Sequence, residues 1–371
     1  MNENNQNLYE ETENVIVQTR EETDKKCASC GGTMDFDPAS GMLLCPYCGG
    51  TKEITQSPQE TNAKELDFLS ERTMQSYDWG TEKKTVICKS CGGESIYDAL
   101  QTADVCPYCG SNQVMVEDAV ETITPGGVCP FVITPEVAGN NFIKWLKRKI
   151  FCPRKAKKEA KSDSFKGVYI PYWTFDSDTR SDYTARYGID RTYTDGKGNT
   201  RTVTDWYSTS GDYLRFIDDQ LVCASNRYDS SMLRSIEPYN TEDNKKYKPE
   251  YIAGFVSERY SIGLQDGWET AKNYIHNTLR SEITNKIYRE CHADHVSGLN
   301  FSTEYDNIKY KYLLLPVWLS SFKYNGKLFR FMVNGETGKV GGKAPISALR
   351  VALAVLLGVA VVGALVFFYM K

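Results

Sequence analysis

The feature that most constrains this chain is a cysteine pattern that occurs twice. Cys27-x2-Cys30-x14-Cys45-x2-Cys48 recurs as Cys88-x2-Cys91-x14-Cys106-x2-Cys109, displaced by 61 residues with every internal spacing kept. A tetrahedral metal site needs four ligands, and each Cys-x2-Cys turn supplies two thiolates. Each copy therefore predicts one closed four-cysteine site, and the chain predicts two small zinc ribbons holding two structural Zn2+ ions.

The residues around the cysteines help to separate zinc from its alternatives. Glycine follows the second cysteine of every pair, where a positive φ turns backbone amides toward sulfur: Gly31, Gly49, Gly92 and Gly110. Disulfides need an oxidising compartment, and the N-terminus lacks the basic start and apolar run of a secretory signal. Four knuckles in two matched pairs exceed what a redox Cys-x2-Cys needs. Iron in a rubredoxin-like site stays open, because ligand spacing barely separates it from zinc.

The charge of the ribbons bears on what they bind. Residues 27–50 contain Asp35 and Asp37 and no Lys or Arg, while residues 88–110 contain one Lys against three acids. Nucleic-acid affinity depends on cations that neutralise phosphates, and the whole chain has a formal net charge of −4. These ribbons are therefore expected to recognise proteins rather than nucleic acid.

The rest of the chain predicts an α+β protein of several parts. We expect a disordered acidic tail (1–26), ribbon 1 (27–50), a linker (51–87), ribbon 2 (88–110), a β-rich α+β domain (111–345) and a transmembrane helix (346–371). Alternating segments at 167–175, 182–187, 200–207 and 327–333 predict strands, with hairpin turns at Asp195-Gly196 and Asn325-Gly326. Helices are predicted at 140–151 and 266–291. The second has one apolar face: Trp268, Ala271, Ile275, Leu279, Ile283 and Ile287.

The C-terminal segment predicts a membrane anchor. Residues 351–370 contain no charged residue, and 20 helical residues extend about 30 Å, the thickness of the hydrocarbon layer. Lys339, Lys343 and Arg350 precede the segment and only Lys371 follows it. We therefore expect a single-pass, tail-anchored protein of the cell membrane with its N-terminal region in the cytoplasm. Small residues spaced four apart in the span would permit oligomers.

A basic tract lies at residues 144–161, which contain nine basic residues and one acidic residue, Glu159. Phe142, Ile143, Trp145, Leu146 and Ile150 fall on the opposite helical face. The tract is open to three interpretations. It lies on the anionic inner leaflet, or it is a core-packed helix followed by a solvated charged loop, or it contacts nucleic acid.

No catalytic residues can be named from the sequence. Neither a G-x-S-x-G elbow nor a G-x4-G-K-[ST] phosphate loop occurs. Cys291, His292 and His295 could donate metal ligands near a helix end, although surface or capping roles are commoner. Cys129, Cys152 and Cys223 are expected to be buried thiols. We therefore expect a protein that is not an enzyme. The alternatives are a membrane-associated nucleic-acid-binding protein and an enzyme with an unrecognised site in residues 125–345.

Two further segments echo each other. Residues 169–173 and 314–318 share an apolar-Pro-apolar-Trp core, either as a duplicated strand motif or as two unrelated strands with Pro at a start or an edge.

With these segments, residues 251–260 and the paired ribbons, the chain resembles a bacterial family of zinc-ribbon membrane proteins, the YdjG-type. Its members often carry labels such as TFIIB-type zinc ribbon or primosomal replication helicase, and this chain has no ATP-binding loop to fit the latter. The resemblance implies a non-enzymatic membrane adaptor that works beside SPFH-domain, flotillin-like scaffolds and phage-shock-type envelope-stress proteins.

Overall fold

The structure is a computed structural model that describes residues 25–55, 62–68, 83–88, 94–98, 114–117, 124–160, 165–194, 196 and 198–369; for 83–88, 94–98 and 114–117 it describes the backbone. The helices are α1 (Pro135–Arg148), α2 (Arg154–Glu159), α3 (Ser230–Ile236), α4 (Leu264–Glu290) and α5 (Ala348–Tyr369), with a 3₁₀ helix at Pro249–Ile252. The strands are β1 (Asp35–Asp37), β2 (Met42–Leu44), β3 (Thr51–Lys52), β4 (Leu66–Asp67), β5 (Lys83–Cys88), β6 (Glu94–Asp98), β7 (Val114–Glu117), β8 (Gly127–Val128), β9 (Lys166–Thr194), β10 (Thr200–Cys223), β11 (Lys245–Lys246), β12 (Val256–Ser257), β13 (His295–Tyr324), β14 (Lys327–Asn334) and β15 (Val340–Gly342). The expected mixed α+β class is confirmed.

Two long antiparallel strands, β9 and β13, form the centre of the main sheet. They pair from Lys166 opposite Leu319 to Gly188 opposite His295. Strand β10 lies on the other side of β9, and β14 followed by β15 lies on the other side of β13. The strands predicted at 167–175 and 182–187 are therefore one strand. The β13–β14 turn uses Asn325 and Gly326, both with positive φ, as the sequence predicts; Asp195 lies outside the described residues.

Helix α4 covers one face of this sheet. All six residues of its predicted apolar face are buried, and it contacts β9, β10 and β13. The predicted helix bounds of 266–291 agree with the structure to within two residues. Helix α1 begins earlier than the predicted 140–151, because the Thr134 side chain accepts a hydrogen bond from the Val137 amide and Pro135 occupies the first helical position. It ends at Arg148, so residues 149–151 are not helical.

The two apolar-Pro-apolar-Trp segments lie side by side in the sheet. Pro171 of β9 is opposite Leu314, and Pro316 of β13 is opposite Tyr169. At each proline, the pairing with one neighbouring strand ends, and a different strand pairs with the residues on the other side of the proline. Beside β9, the pairing with β10 ends at Tyr172 and β12 pairs with Tyr169. Both prolines are thus interior to the sheet, which corrects the expectation of Pro at a start or an edge.

The hydrogen bonds around these prolines match in detail. The carbonyl of Pro171 accepts from Ala224, the residue after β10, and that of Pro316 accepts from Gly335, the residue after β14. The Trp173 indole donates to the Ile262 carbonyl at 2.9 Å. The Trp318 indole donates to the Ile133 carbonyl at 3.1 Å. These matched bonds favour the duplicated motif over two unrelated strands.

The repeat extends beyond the two strands. Strand β8 is followed by α1 and then β9 and β10, just as β12 is followed by α4 and then β13 and β14. Strand β8 pairs in parallel with β13, and β12 pairs in parallel with β9, so each unit contributes a short strand to the other. The domain therefore consists of two interlocked β-α-β-β units.

A buried charge cluster lies where the long sheet changes register. Asp219 and Asn307, both with positive φ, interrupt the two strands on either side of β9, opposite residues 176–178. Lys311 places its Nζ 2.6 Å from Asp219 Oδ1 and 3.9 Å from Asp176 Oδ2. Burial raises the pKa of Asp176 to about 6. From Asp178 to Arg186, just beyond this cluster, the even-numbered residues of β9 are exposed.

Candidate metal centre

Ribbon 1 consists of two similar knuckles on a three-stranded sheet of order β1-β2-β3. The Gly31 amide donates to the Cys27 carbonyl and the Gly49 amide donates to the Cys45 carbonyl, at 2.8 and 2.9 Å. Gly31 and Gly49 have φ of 73° and 74°, so the predicted positive φ is confirmed at both. This backbone turns both cysteines of each knuckle toward a common centre.

The four sulfurs of ribbon 1 surround a space that suits one metal ion. Cys27 Sγ lies 3.4 Å from Cys48 Sγ, Cys30 Sγ lies 3.5 Å from Cys45 Sγ, and all four lie within 4.8 Å of one another. A disulfide has an S–S distance of about 2.05 Å, so no pair is bonded. A tetrahedron with metal–sulfur bonds of about 2.3 Å has sulfur–sulfur edges of about 3.8 Å, which fits this arrangement.

Hydrogen bonds from the backbone and among the four thiols lower the pKa values of Cys27 and Cys45 and raise those of Cys30 and Cys48. Backbone hydrogen bonds from Ser29 and Cys30 lower the pKa of Cys27 to about 6. The Gly50 amide lowers the pKa of Cys48, but hydrogen bonds with the other three thiols outweigh it and raise that pKa to about 12. Neighbouring thiolates repel one another, so complete ionisation of the group requires a cation to offset the charge.

A second glycine in each knuckle is a feature that the sequence analysis missed. A Cβ on Gly50 would lie 3.2 Å from Cys27 Sγ, and a Cβ on Gly32 would lie 2.6 Å from the Tyr47 ring. The signal was present as the Gly-Gly pairs at 31–32 and 49–50. These glycines keep the space beside the sulfurs and the Tyr47 ring open.

Ribbon 1 is docked on the main domain rather than separate from it. The Phe36 amide donates to the Ala253 carbonyl at 3.1 Å, and the Phe36 ring meets the Tyr251 ring edge to face at 6.0 Å. Phe36 is 4% exposed and belongs to the same apolar core as α4. The four-cysteine cluster therefore has a fixed position relative to the β-rich domain.

The second cysteine copy is described only in part. Cys88 ends β5, while Cys91, Cys106 and Cys109 lie outside the described residues. The backbone nevertheless repeats the register of ribbon 1. Ile87 pairs with Glu94, and the residues 61 positions earlier, Lys26 and Thr33, form a bridge. The region predicted as a linker also contributes β3 to ribbon 1 and β4 to the main sheet.

The remaining cysteine and histidine candidates occupy structural positions. Cys129 and Cys152 are buried thiols as predicted, and Cys223 is partly buried. Cys291 caps α4, His292 has a positive φ in the following turn, and His295 Nε2 lies 3.1 Å from Asp190 Oδ2. Within the described ranges, the four cysteines of ribbon 1 are the one group with metal-ligating geometry.

The start of helix α5 lies next to the basic tract of residues 144–161. Helix α5 is long and apolar enough to cross a membrane, and none of its apolar window is buried. The apolar face of α1 instead packs inside the domain, where Phe142 stacks on Phe331 at 3.6 Å. This corrects any reading of α1 as a helix that inserts its apolar face into lipid.

Comparison with known proteins gives one informative relative. No family model matches the chain, and no solved structure matches it. The chain is 30% identical over 338 residues to "Uncharacterized protein YdjG" of Bacillus subtilis (strain 168), a match that covers 88% of this chain and 91% of that protein. Because this identity extends over most of both proteins, the chain belongs to the YdjG family.

Proposed function

We propose that this chain is a membrane-anchored adaptor in which structural zinc ribbons present a fixed surface to protein partners. The observation that carries the proposal is the docking of ribbon 1 through Phe36 while its outer knuckle stays accessible. Tyr47, between Cys45 and Cys48, is 78% exposed. Tyrosine is enriched at the energetic centres of protein interfaces, and a rigid support lowers the entropy lost on binding.

Zinc is the metal that we propose for ribbon 1. Four thiolates leave no open coordination position, so the ion would hold the knuckles together and would not activate water. Iron also accepts tetrahedral thiolates, and the two are distinguished by measurement. Purified full-length protein should contain zinc and lack the visible absorption of an iron–thiolate site. A coloured, iron-containing protein would overturn this assignment.

A second zinc ion in ribbon 2 is supported by the repeated spacing and by the repeated backbone register at residues 87 and 94. The protein should then contain two zinc ions per chain. Cys30→Ser and Cys91→Ser should each remove one ion, and the double variant should remove both. Loss of both ions from either single variant would show that the two sites are not independent.

The anchor that we propose is α5. Its 22 residues extend about 33 Å, which matches the hydrocarbon core of a bilayer. The preceding bases, Lys339, Lys343 and Arg350, favour a cytoplasmic location for the domain. The protein should resist alkaline extraction from membranes. Protease added to intact cells should leave the domain uncut, whereas protease added to inverted vesicles should digest it.

Partner recruitment is tested by crosslinking in membranes followed by partner identification. Tyr47→Ser should reduce capture of protein partners, whereas Tyr193→Ser, which removes an exposed aromatic from β9, should not. Cys45→Ser and Cys106→Ser report on the two metal sites. The resemblance makes SPFH-domain, flotillin-like scaffolds and phage-shock-type proteins the first candidates. Unchanged capture by all three ribbon variants would refute the adaptor proposal.

A further inference from the structure

The base of α5 is tied to the turn between α1 and α2. The Ser347 amide donates to the Phe151 carbonyl at 2.9 Å. The Arg350 guanidinium donates to the carbonyls of Ile150 and Cys152 at 3.0 and 2.6 Å. Since the apolar part of α5 begins at Val351, these bonds fix the turn at the polar end of the helix. Ile150 itself is 73% exposed there.

Basic side chains flank this turn on both sides. Lys147 and Arg148 end α1, Arg154 begins α2, and all three are exposed. Within the described part of the chain, none of the three forms an ion pair with an acid. Lys157 donates from its Nζ to the Lys147 carbonyl at 2.8 Å, which joins α2 to the end of α1. The result is a preformed basic surface in which Lys147, Arg148 and Arg154 have no acidic partner among the described residues.

The duplication shows that this surface is peculiar to one unit. In the second unit, α4 continues for 27 residues and covers the sheet. In the first unit, the equivalent helix α1 stops after 14 residues and gives way to α2, which reads RKAKKE. The buried face of α2 is formed by Ala156, which packs with Phe142 and Leu146. Its charged face is left outward beside α5.

We infer that residues 147–158 contact the anionic lipid headgroups of the leaflet that α5 enters. Lys149 and Arg154 lie within two residues of the carbonyls held by Arg350, which limits their distance along the chain to about 8 Å. That distance is comparable to the Debye length at physiological ionic strength, about 8 Å. Each base near such a surface strengthens attraction about fivefold.

The position of this surface favours lipid over nucleic acid. Its nearest polyanion would be the headgroup layer around α5, whereas a nucleic acid would have to lie against that same layer. The inference rests on the proposed function in one respect, which is that α5 spans a bilayer. It does not depend on zinc or on any protein partner.

The experiment uses the full chain in nanodiscs, because the anchor sets the geometry. An amine-reactive reagent modifies the protein in phosphatidylcholine discs and in discs with about 30% phosphatidylglycerol, at about 0.1 M salt. Labelling of Lys147, Lys149 and Lys158 should be about fivefold slower in the anionic discs and should recover at about 1 M salt. Lys272 and Lys286 of α4 are internal references and should be unaffected.

A charge variant supplies the matched control. The triple variant Lys147→Gln, Arg148→Gln and Arg154→Gln should lose the enrichment of phosphatidylglycerol among lipids that copurify with the wild-type protein from polymer-solubilised membranes. A second triple variant removes the same charge from exposed arginines elsewhere and should keep that enrichment: Arg180→Gln, Arg201→Gln and Arg289→Gln.

Three outcomes would overturn the inference. Equal labelling in neutral and anionic discs would show that the basic surface does not meet lipid. Protection of the same lysines by duplex DNA, without protection by anionic lipid, would assign the surface to nucleic acid. Release of the protein by alkaline extraction would remove the anchor, and with it both the proposed function and this inference, whereas the first two outcomes leave the anchor intact.

Discussion

The docking of ribbon 1 gives the sharpest prediction about how this protein is built. Phe36→Ala removes a ring that is almost fully buried, and such truncations cost about 3–5 kcal/mol in the free energy of unfolding. The edge-to-face contact with Tyr251 accounts for about 0.5–1.5 kcal/mol of this loss. The backbone bond from Phe36 to Ala253 is weakened only indirectly, because the substitution keeps both of its atoms.

The structure also indicates which segments should lose protection from hydrogen exchange. If Phe36 holds the ribbon on the domain, its truncation opens the contact between β1 and the segment at residues 249–255. A cost of about 3 kcal/mol corresponds to a more than hundredfold rise in the open population. Hydrogen exchange measured by mass spectrometry should therefore accelerate in both segments. The substitution leaves all four cysteines and the knuckle hydrogen bonds of Gly31 and Gly49 in place, so the metal content should stay unchanged.

Tyr47→Ala is the matched control, because it removes an aromatic ring from the exposed side of the same ribbon. It should leave exchange in β1 and at 249–255 as in the wild type. Unchanged exchange in the Phe36→Ala protein would refute the docking argument. Faster exchange in β1 alone would show that another contact holds the ribbon in place.

Three further predictions concern the domain. The folded-state pKa of Asp176 is raised from 3.8 to about 6, so this group stabilises the fold most below pH 4. Its contribution to the free energy of unfolding falls by about 3 kcal/mol as the pH rises to 6 and is flat above 7. Denaturation of the wild type and of Asp176→Asn across this pH range should show the difference. Asn334→Ala should lower unfolding free energy by about 3 kcal/mol in denaturant titration, since the buried amide bonds four backbone groups, among them the carbonyls of Ile236 and Pro238; an unchanged midpoint would contradict this. Gly267→Ala should destabilise by about 1–2 kcal/mol in thermal melts despite the better helix propensity of Ala, because the new Cβ would lie 2.7 Å from the Trp173 ring; a stabilised variant would show that Trp173 moves freely.

The sequence was sufficient for those features that depend on local spacing. Four cysteines in two matched knuckles predicted the sulfur cluster of ribbon 1, and a 3.6-residue period predicted the buried face of α4. The Asn325-Gly326 turn and the apolar C-terminal helix were likewise evident, because each is determined by a few adjacent residues.

Features that depend on distant residues were not predictable in this way. Nothing near Phe36 indicates that its partner is Tyr251, more than 200 residues away. The β-α-β-β duplication showed itself only in the Pro-Trp segments, since α1 and α4 share a position and not a sequence. The contact of Arg350 with the α1–α2 turn also joins segments about 200 residues apart, so helix α5 and the basic tract could not be placed together beforehand.

The two interior prolines have a consequence for how the sheet avoids misalignment. A strand slipping by two residues keeps its faces correct, so alternation of apolar side chains alone does not exclude that error. Pro171 and Pro316 have no amide hydrogen, so neither can donate a hydrogen bond to a neighbouring strand. Each therefore fits only where the neighbouring strand has no carbonyl that needs this donor. Shifting either hairpin would bring a carbonyl to the proline nitrogen and leave it without a donor. These prolines therefore disfavour slipped registers of the β9–β10 and β13–β14 hairpins.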